Sequence, residues 1–352
     1  MENYFKASVL SLPGYGAPPQ EAPAAKLNQN ESPFDLPAAL KKEILDKALT
    51  LSWNRYPVNE SPRLKEALAA WHQLAPEQIL LGNGSNQLLQ TILSGCTEPG
   101  EKILCCPPTF SLFELYIALY GGEALLVPRL PGSETPQAEI MTAIKTRQPK
   151  LILFCSPNNP TGSEFEVAFV EQVCDVSRGL VVVDEAYAEF STQSFLPLLK
   201  QRKNLVLSRT FSKAFSMAGL RLGYLMADAE IIAQWRKVNL PYNINLFTEL
   251  VGLTLLNHRA LIEQQVQFII RQREWLLAQM QQIDAIKACP SAANFILFSC
   301  PDGKALFAHL KGRGILVRDV SGYWGLENHL RVNAGSLLEN QLFITALHEY
   351  YL

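Results

Sequence analysis

No run of the 352-residue chain approaches the ~18 consecutive apolar residues of a membrane span, which argues against a membrane role. Charge of one sign is lacking too. The 31 basic side chains stand against 33 acidic ones, a formal net charge of −2, so nothing pulls the whole molecule toward nucleic acid. The start, MENYFKASVLSLPGYG, has neither the basic segment nor the apolar stretch of a secretory signal. Histidine is sparse: His72, His258, His309, His329 and His348 are scattered, with no His-Glu-x-x-His pair. With no paired cysteine spacing either, a metal site is not expected. The Gly-x-Ser-x-Gly elbow of many hydrolases is absent. Seven cysteines are an odd number, with Cys105 and Cys106 adjacent, which fits reduced thiols in the cytoplasm better than a disulfide framework. What is present is a chain 48% hydrophobic and long enough for about two domains.

The first thirty residues are rich in Pro, Ala and Gly (LPGYGAPPQEAPAAK). They predict an arm over 1–30 lying on other structure or on a neighbouring subunit, with a loose terminus as the alternative. From residue 79 short apolar runs recur, at 79–81, 103–105, 124–127, 150–154, 180–183, 204–207 and 222–226, mostly separated by helix-length stretches. Apolar strands alternating with helices predict an α/β fold whose mostly parallel seven-stranded sheet is covered on both faces. Residues 246–282 read as one long helical segment, with apolar residues at mixed three- and four-residue spacings. Beyond it, NFILF, ILVRDV and HLRVNA with a helix near 303–311 predict a smaller α+β C-terminal domain. The expected division is a large domain over 31–250 and a small one over 251–352.

In open α/β sheets ligands collect outside the carboxyl ends of the strands. Five proposed strands are followed there by Gly82-Asn83-Gly84-Ser85-Asn86, Cys106-Pro107-Pro108-Thr109-Phe110, Ser156 to Gly162, Asp184-Glu185-Ala186-Tyr187, and Ser208 to Lys213. Each has an ordinary reading: Ser85 as a helix N-cap, 158–162 as a turn, Asp184 as the cap of the next helix. The functional reading of 82–86 is a phosphate seat, where helix N–H groups meet an anion; it is neither a dinucleotide fingerprint nor a P-loop. Between 200 and 240, Lys200, Arg202, Lys203, Arg209, Lys213, Arg221, Arg236 and Lys237 face only Asp228 and Glu230. For Lys200 to Lys203 a solvated face suffices. Lys213 and Arg221 differ, set among hydroxyls, aromatics and glycine. A lysine among cations has its ammonium form destabilised, which frees the amine to form a Schiff base. If the 222–226 strand runs antiparallel, Arg221 at its start lies at the same sheet edge. An imine-forming lysine, a phosphate seat and a strand-end carboxylate describe a pyridoxal 5'-phosphate site.

The motifs LNQNESPF (27–34), NRYP (54–57), GNGSNQ (82–87), PPTF (107–110), SPNNPTG (156–162), VVDEAY (182–187), RTFSKAFSMAGLRLGY (209–224), LPYNIN (240–245), ILVRD (315–319) and LRV (330–332) occur in this order. In that order and spacing the chain resembles the fold-type I pyridoxal-phosphate aminotransferases, and within them the histidinol-phosphate aminotransferase family. The resemblance implies that Lys213 carries the cofactor and shuttles a proton at the substrate Cα. It implies that Asp184 faces the pyridine nitrogen and that Tyr187 and Asn159 donate to the ring oxygen. Phe110 would stack on the ring. Ser85, Asn86, Thr210, Ser212 and Arg221 would hold the phosphate, helped by Tyr56 from the other subunit of a homodimer. Substrate specificity would rest on Arg331 and Arg318, with a surface ion pair to Asp319 or Glu327 as the alternative for either. Arg331 would bind the α-carboxylate of glutamate in one half-reaction and the phosphate of histidinol phosphate in the other, since guanidinium forks suit both anions.

Two departures stand out. Ser85-Asn86-Gln87 occupies a turn where relatives commonly carry Asp-Glu, and the proline-rich start leaves Tyr15 only loosely matched to a substrate-contacting tyrosine. Asn30 and Asn294 are expected near the substrate, or else as turn residues. Remaining tryptophans are expected in the core or an interface. The reaction implied moves an amino group between histidinol phosphate and 2-oxoglutarate, giving imidazole-acetol phosphate and glutamate in histidine biosynthesis. The alternatives are an aromatic or phenylalanine aminotransferase, a threonine-phosphate decarboxylase, or a cofactor-binding regulator; for the last, the residues before the match are too few and too proline-rich to hold a DNA-binding helix pair.

Overall fold

A computed structural model describes residues 4–12 and 23–351 of the chain. Seven strands form the main sheet: β1 (Ile79–Gly82), β2 (Lys102–Cys105), β3 (Glu123–Leu126), β4 (Leu151–Cys155), β5 (Leu180–Asp184), β6 (Leu205–Thr210) and β7 (Gly223–Ala227). Their order is β1-β7-β6-β5-β4-β2-β3. All pairs are parallel except those of β7, which runs antiparallel between β1 and β6. Side chains alternate across the pleat. Leu80, Leu153, Val182, Val206 and Leu225 pack on one face with Leu88, Ile92 and Trp235. Leu81, Phe154, Val183, Leu207 and Met226 pack on the other with Leu64, Phe169 and Val251. Burying both faces explains why the central strands are apolar without interruption. The expected strand at 124–127 is real but exposed: β3 is the sheet edge, with Leu126 at 42% exposure, because no strand lies beyond it.

The C-terminal part builds an antiparallel sheet from β8 (Lys287–Ala288), β9 (Phe295–Ser299), β10 (Arg318–Asp319) and β11 (His329–Asn333), in the order β10-β11-β9-β8. Phe295, Phe298, Leu330 and Val332 pack there with Leu306, Phe343 and Leu347. Part of the expected arm belongs to this unit: Ala25 and Lys26 pair in parallel with Ile315 and Leu316. The helical segment expected over 246–282 is two helices, Leu246–Leu256 and Arg259–Met280. His258 leaves helical geometry (φ −113°, ψ 44°), and its Nδ1 lies 2.8 Å from the Thr254 carbonyl. The two helices face different neighbours, Pro62–His72 for the first and Leu337–Tyr351 for the second. The apolar spacing runs through the two-residue break without marking it. Trp235 is buried as expected, whereas Trp53 and Trp324 are exposed in the single chain.

Candidate active site

The antiparallel β7 solves the placement of Arg221. Gly223 pairs with Gly82 on one side and with Thr210 on the other, so the residues before β7 meet the ends of β1 and β6. Cys155 pairs with Asp184, and Asp184 with Ser208, at that same edge. A cavity of about 370 Å³ opens there and is lined by Asn30, Ser85, Asn86, Phe110, Asn159, Asp184, Tyr187, Thr210, Ser212, Lys213, Arg221, Arg318 and Arg331. Two expected residues are not among them. Tyr56 is 82% exposed on the surface of the chain, stacked on Tyr242 at 4.8 Å between centroids. Tyr15 lies outside the described residues.

At one end of the cavity, the helix Ser85–Cys96 begins with Gly84 as its cap residue and no side-chain cap. Ser85 is thus the first helical residue and not the N-cap, leaving the helix's first N–H groups directed to the cavity. Gly84 sits at φ +80°, and a Cβ there would lie 2.4 Å from Arg221 Nη2. The Arg221 guanidinium donates to Ser212 Oγ (3.1 Å) and to the Ala218 carbonyl (2.9 Å), while Thr210 Oγ1 donates to Ser212 Oγ (3.0 Å). Gln87 accepts from the Asn83 N–H (3.0 Å) and donates to Asn239 (3.0 Å), so it stiffens the turn.

Asp184 ends β5 and is 3% exposed. It caps no helix: the next helical turn, Ala188–Phe190, has Tyr187 as its N-cap. One carboxylate oxygen, Oδ1, has no hydrogen-bond partner among the described residues. Burial pushes the Asp184 carboxyl up to about 7, against the lowering effect of the Ala186 N–H. The Tyr187 hydroxyl accepts from Asn30 Nδ2 at 2.9 Å, and burial raises its pKa. Lys213 Nζ donates to the Gln29 carbonyl at 2.9 Å. Burial first, then the Arg331 and Arg221 charges, brings its ammonium down to about 7. Neighbouring cations do destabilise it as expected, with desolvation the larger cause.

Arg318 and Arg331 stand opposite each other across β10 and β11. Like charges in that position repel, an arrangement suited to an anion between or beside them. Arg331 donates to Asn159 Oδ1 and to the Asn28 carbonyl (2.8 Å), and its guanidinium lies 5.2 Å from the Phe295 ring. Asn30 is in left-handed geometry (φ 53°) and also lines the cavity. Asn294 is fully buried, donating to the Asn30 carbonyl at 3.1 Å. Sequence reasoning missed Asn28, Gln29, Glu31 and Tyr323, which also line the cavity. Asn28 and Gln29 act through main-chain carbonyls, which leave no side-chain signature.

Much of the basic excess between 200 and 240 is neutralised elsewhere. Arg209 pairs with Glu185 (2.9 Å) and lies 3.7 Å from Glu189; Arg202 pairs with Glu171 and Asp175, and Arg236 with Glu60. Among the described residues no group of three His, Cys, Asp or Glu side chains could hold a metal ion, and no helix is long and apolar enough to cross a membrane.

The profile of the family "Aminotransferase class I and II" matches residues 23–347. Histidinol-phosphate aminotransferase of Prosthecochloris aestuarii is 36% identical over 342 residues, covering 97% of this chain and 96% of that protein. The enzyme of the same name from Caldanaerobacter subterraneus subsp. tengcongensis is 35% identical, with 92% of each covered. The backbone superposes on the crystal structure of histidinol-phosphate aminotransferase from Sinorhizobium meliloti in complex with pyridoxal-5'-phosphate, with a TM-score of 0.89 at 24% identity, covering 99% of this chain and 98% of that one. With that profile spanning most of its length and relatives more than a third identical across nearly the whole chain, the chain belongs to the class I and II aminotransferases and, among them, to the histidinol-phosphate aminotransferase family.

Proposed function

We propose that this chain is a pyridoxal-phosphate-dependent transaminase that moves an amino group between histidinol phosphate and 2-oxoglutarate. The residues fit the cofactor. The unpartnered Asp184 oxygen would be satisfied by a protonated ring nitrogen, and the Arg221 guanidinium lies against the Gly84 turn so closely that a Cβ there would collide with it. Asn86, Ser85, Thr210, Ser212 and Arg221 would hold that phosphate, Phe110 would flank the ring, and Tyr187 and Asn159 would face its phenolic oxygen. Bound there, pyridoxal phosphate supplies an electron sink for the pair left when the substrate Cα loses its proton.

The chain's own residues do the rest. The Lys213 amine, its ammonium form destabilised by burial, takes the proton from Cα of the amino donor in one half-reaction and delivers a proton to Cα of the acceptor in the other. The Asp184 carboxylate holds positive charge at the ring nitrogen, and its own burial strengthens that attraction. Arg331, braced by Asn159 and the Asn28 carbonyl, orients the anionic end of the substrate. The observation that carries the substrate assignment is the Arg318–Arg331 register: two opposed guanidiniums accept a carboxylate or a phosphate ester in the same place. Residues 31–250 are the cofactor domain in this reading and 251–352 the substrate domain. A homodimer is supported by the apolar groove of Trp53, Tyr56, Tyr242 and Phe247, exposed in the single chain, which also gives Tyr56 a route to a partner's phosphate seat. All seven cysteines are free thiols, in keeping with a cytoplasmic enzyme.

The test is to incubate the holoenzyme with histidinol phosphate and 2-oxoglutarate and follow glutamate. Turnover of phenylalanine with none of histidinol phosphate would replace this substrate by the aromatic one. Carbon dioxide released from threonine phosphate would replace the reaction itself.

A further inference from the structure

Asn30 lies between the two sheets, and both of its main-chain groups are held from the C-terminal side. Its N–H donates to Asn333 Oδ1 (3.1 Å) at the end of β11, and its carbonyl accepts from Asn294 Nδ2 (3.1 Å) just before β9. With its backbone left-handed (φ 53°) and the residue 1% exposed, the side chain reaches the edge of the main sheet. There Nδ2 donates to the Tyr187 hydroxyl at 2.9 Å. The Tyr187 ring is in turn set edge-on against Phe295 of β9, at 5.1 Å between centroids.

A phenol has one O–H proton to give and accepts through its oxygen. With Asn30 donating to that oxygen, the Tyr187 proton is turned elsewhere. A neighbour from the same side orients Asn159. A guanidinium can only donate, so Arg331 engages Asn159 Oδ1 and turns the Nδ2 end away from itself. All four residues line the one cavity. The two donors expected at the cofactor's ring oxygen, Tyr187 and Asn159, thus have their polarity set by residues from outside the main sheet. We propose that Asn30 is a positioning residue: by donating to the Tyr187 oxygen it keeps the Tyr187 O–H as a donor to the ring oxygen of pyridoxal phosphate. This role rests on the placement of Tyr187 at the ring oxygen proposed above. Linked hydrogen bonds strengthen one another, so the charged form of the ring oxygen is favoured beyond what Tyr187 alone would supply. A proton shared between that oxygen and the Lys213 nitrogen is then lost at a lower pH.

The test is a pH titration of the bound cofactor's absorbance in the wild type, Tyr187→Phe, Asn30→Gly, Asn30→Asp and each Asn30 variant combined with Tyr187→Phe. Glycine and aspartate both accept a left-handed backbone. The charged side chains lining the cavity, Glu31, Asp184, Lys213, Arg221, Arg318 and Arg331, stay the same throughout. Tyr187→Phe is expected to raise the midpoint by about one to two pH units, the worth of a hydrogen bond to a charged acceptor. Asn30→Gly should raise it by about half a unit. Asn30→Asp should raise it by more than about one unit, because a carboxylate takes the Tyr187 proton for itself. Combined with Tyr187→Phe, Asn30→Gly should add nothing. Asn30→Asp should then add only the effect of its charge, at least about half a unit less than with Tyr187 present. A midpoint unmoved by both Asn30 variants, or shifts that persist in full with Tyr187→Phe, would overturn the role of Asn30 and leave the cofactor site standing. A midpoint unmoved by Tyr187→Phe would take Tyr187 away from the ring oxygen, and the role of Asn30 with it.

Discussion

Asp184 is held where a carboxylate is poorly solvated, and in the proposed site its unpartnered oxygen would face a cationic ring. Between its ordinary value of 3.8 and about 7 the folded chain keeps a proton that the unfolded chain has lost, so the stability of the cofactor-free protein falls as pH rises across that window. Above it the penalty is complete. Asp184→Asn removes the charge at nearly constant shape. At pH 8 it is expected to raise the melting temperature of the apoenzyme by a few degrees and to reduce transamination at least about a hundredfold. Calorimetry and a glutamate assay read the two effects; a melting temperature that drops would contradict the burial argument. Lys213 works in the other direction, its amine being free above about 7. The rate at which apoenzyme takes up pyridoxal phosphate should therefore rise with pH through about 7 and level off well short of 10. A rate still climbing steeply at pH 9 would mean that the lysine is not depressed. At this scale the side chains were legible because they sit in motifs directly after strands. The Gln29 carbonyl was not, since every residue has one.

A similar division holds for whole elements. Strands β1 to β7 were readable from apolar runs, because burial on both faces removes the polar residues that would otherwise interrupt them. The break at Asn257-His258 was not, since a helix can stop and restart without changing the apolar spacing. The phosphate turn was visible as glycine and hydroxyl residues, yet its need for glycine at 84 comes from a φ of +80° and from Arg221 folding over it. Gly84→Ala should lower stability by about 1–3 kcal/mol from the left-handed backbone and the clash. It should also weaken cofactor retention by more than about tenfold, as read by equilibrium titration of the apoenzyme. Retention equal to the wild type would remove Arg221 and this turn from the phosphate seat.

The molecule as a whole brings together residues far apart in the chain: Arg331 reaches Asn159 and Asn28, and Asn30 reaches Tyr187, Asn294 and Asn333. The 27–34 segment is thus the seam between the main sheet and the C-terminal sheet, and the site closes across it. If Tyr56 completes a partner's site, Tyr56→Phe should loosen cofactor retention about tenfold. In a mixed dimer with Lys213→Ala, one site then has both its lysine and its tyrosine intact. Recovered activity in purified heterodimers is the expected result, and its absence would confine each site to one subunit.

The order of motifs along the chain determined by itself the family, the cofactor chemistry and most of the cavity's side chains. These depend on residue type and on local strand-to-loop spacing, which a linear reading preserves. Tertiary structure decided that β7 runs antiparallel and so delivers Arg221, and that Arg209 pairs with Glu185 and leaves Lys213 among the cavity's cations. It also decided that Arg318 faces Arg331 across a strand pair with Tyr323 on the loop between. Strand direction, pairing register and burial arise from contacts between distant segments, and no local pattern records them.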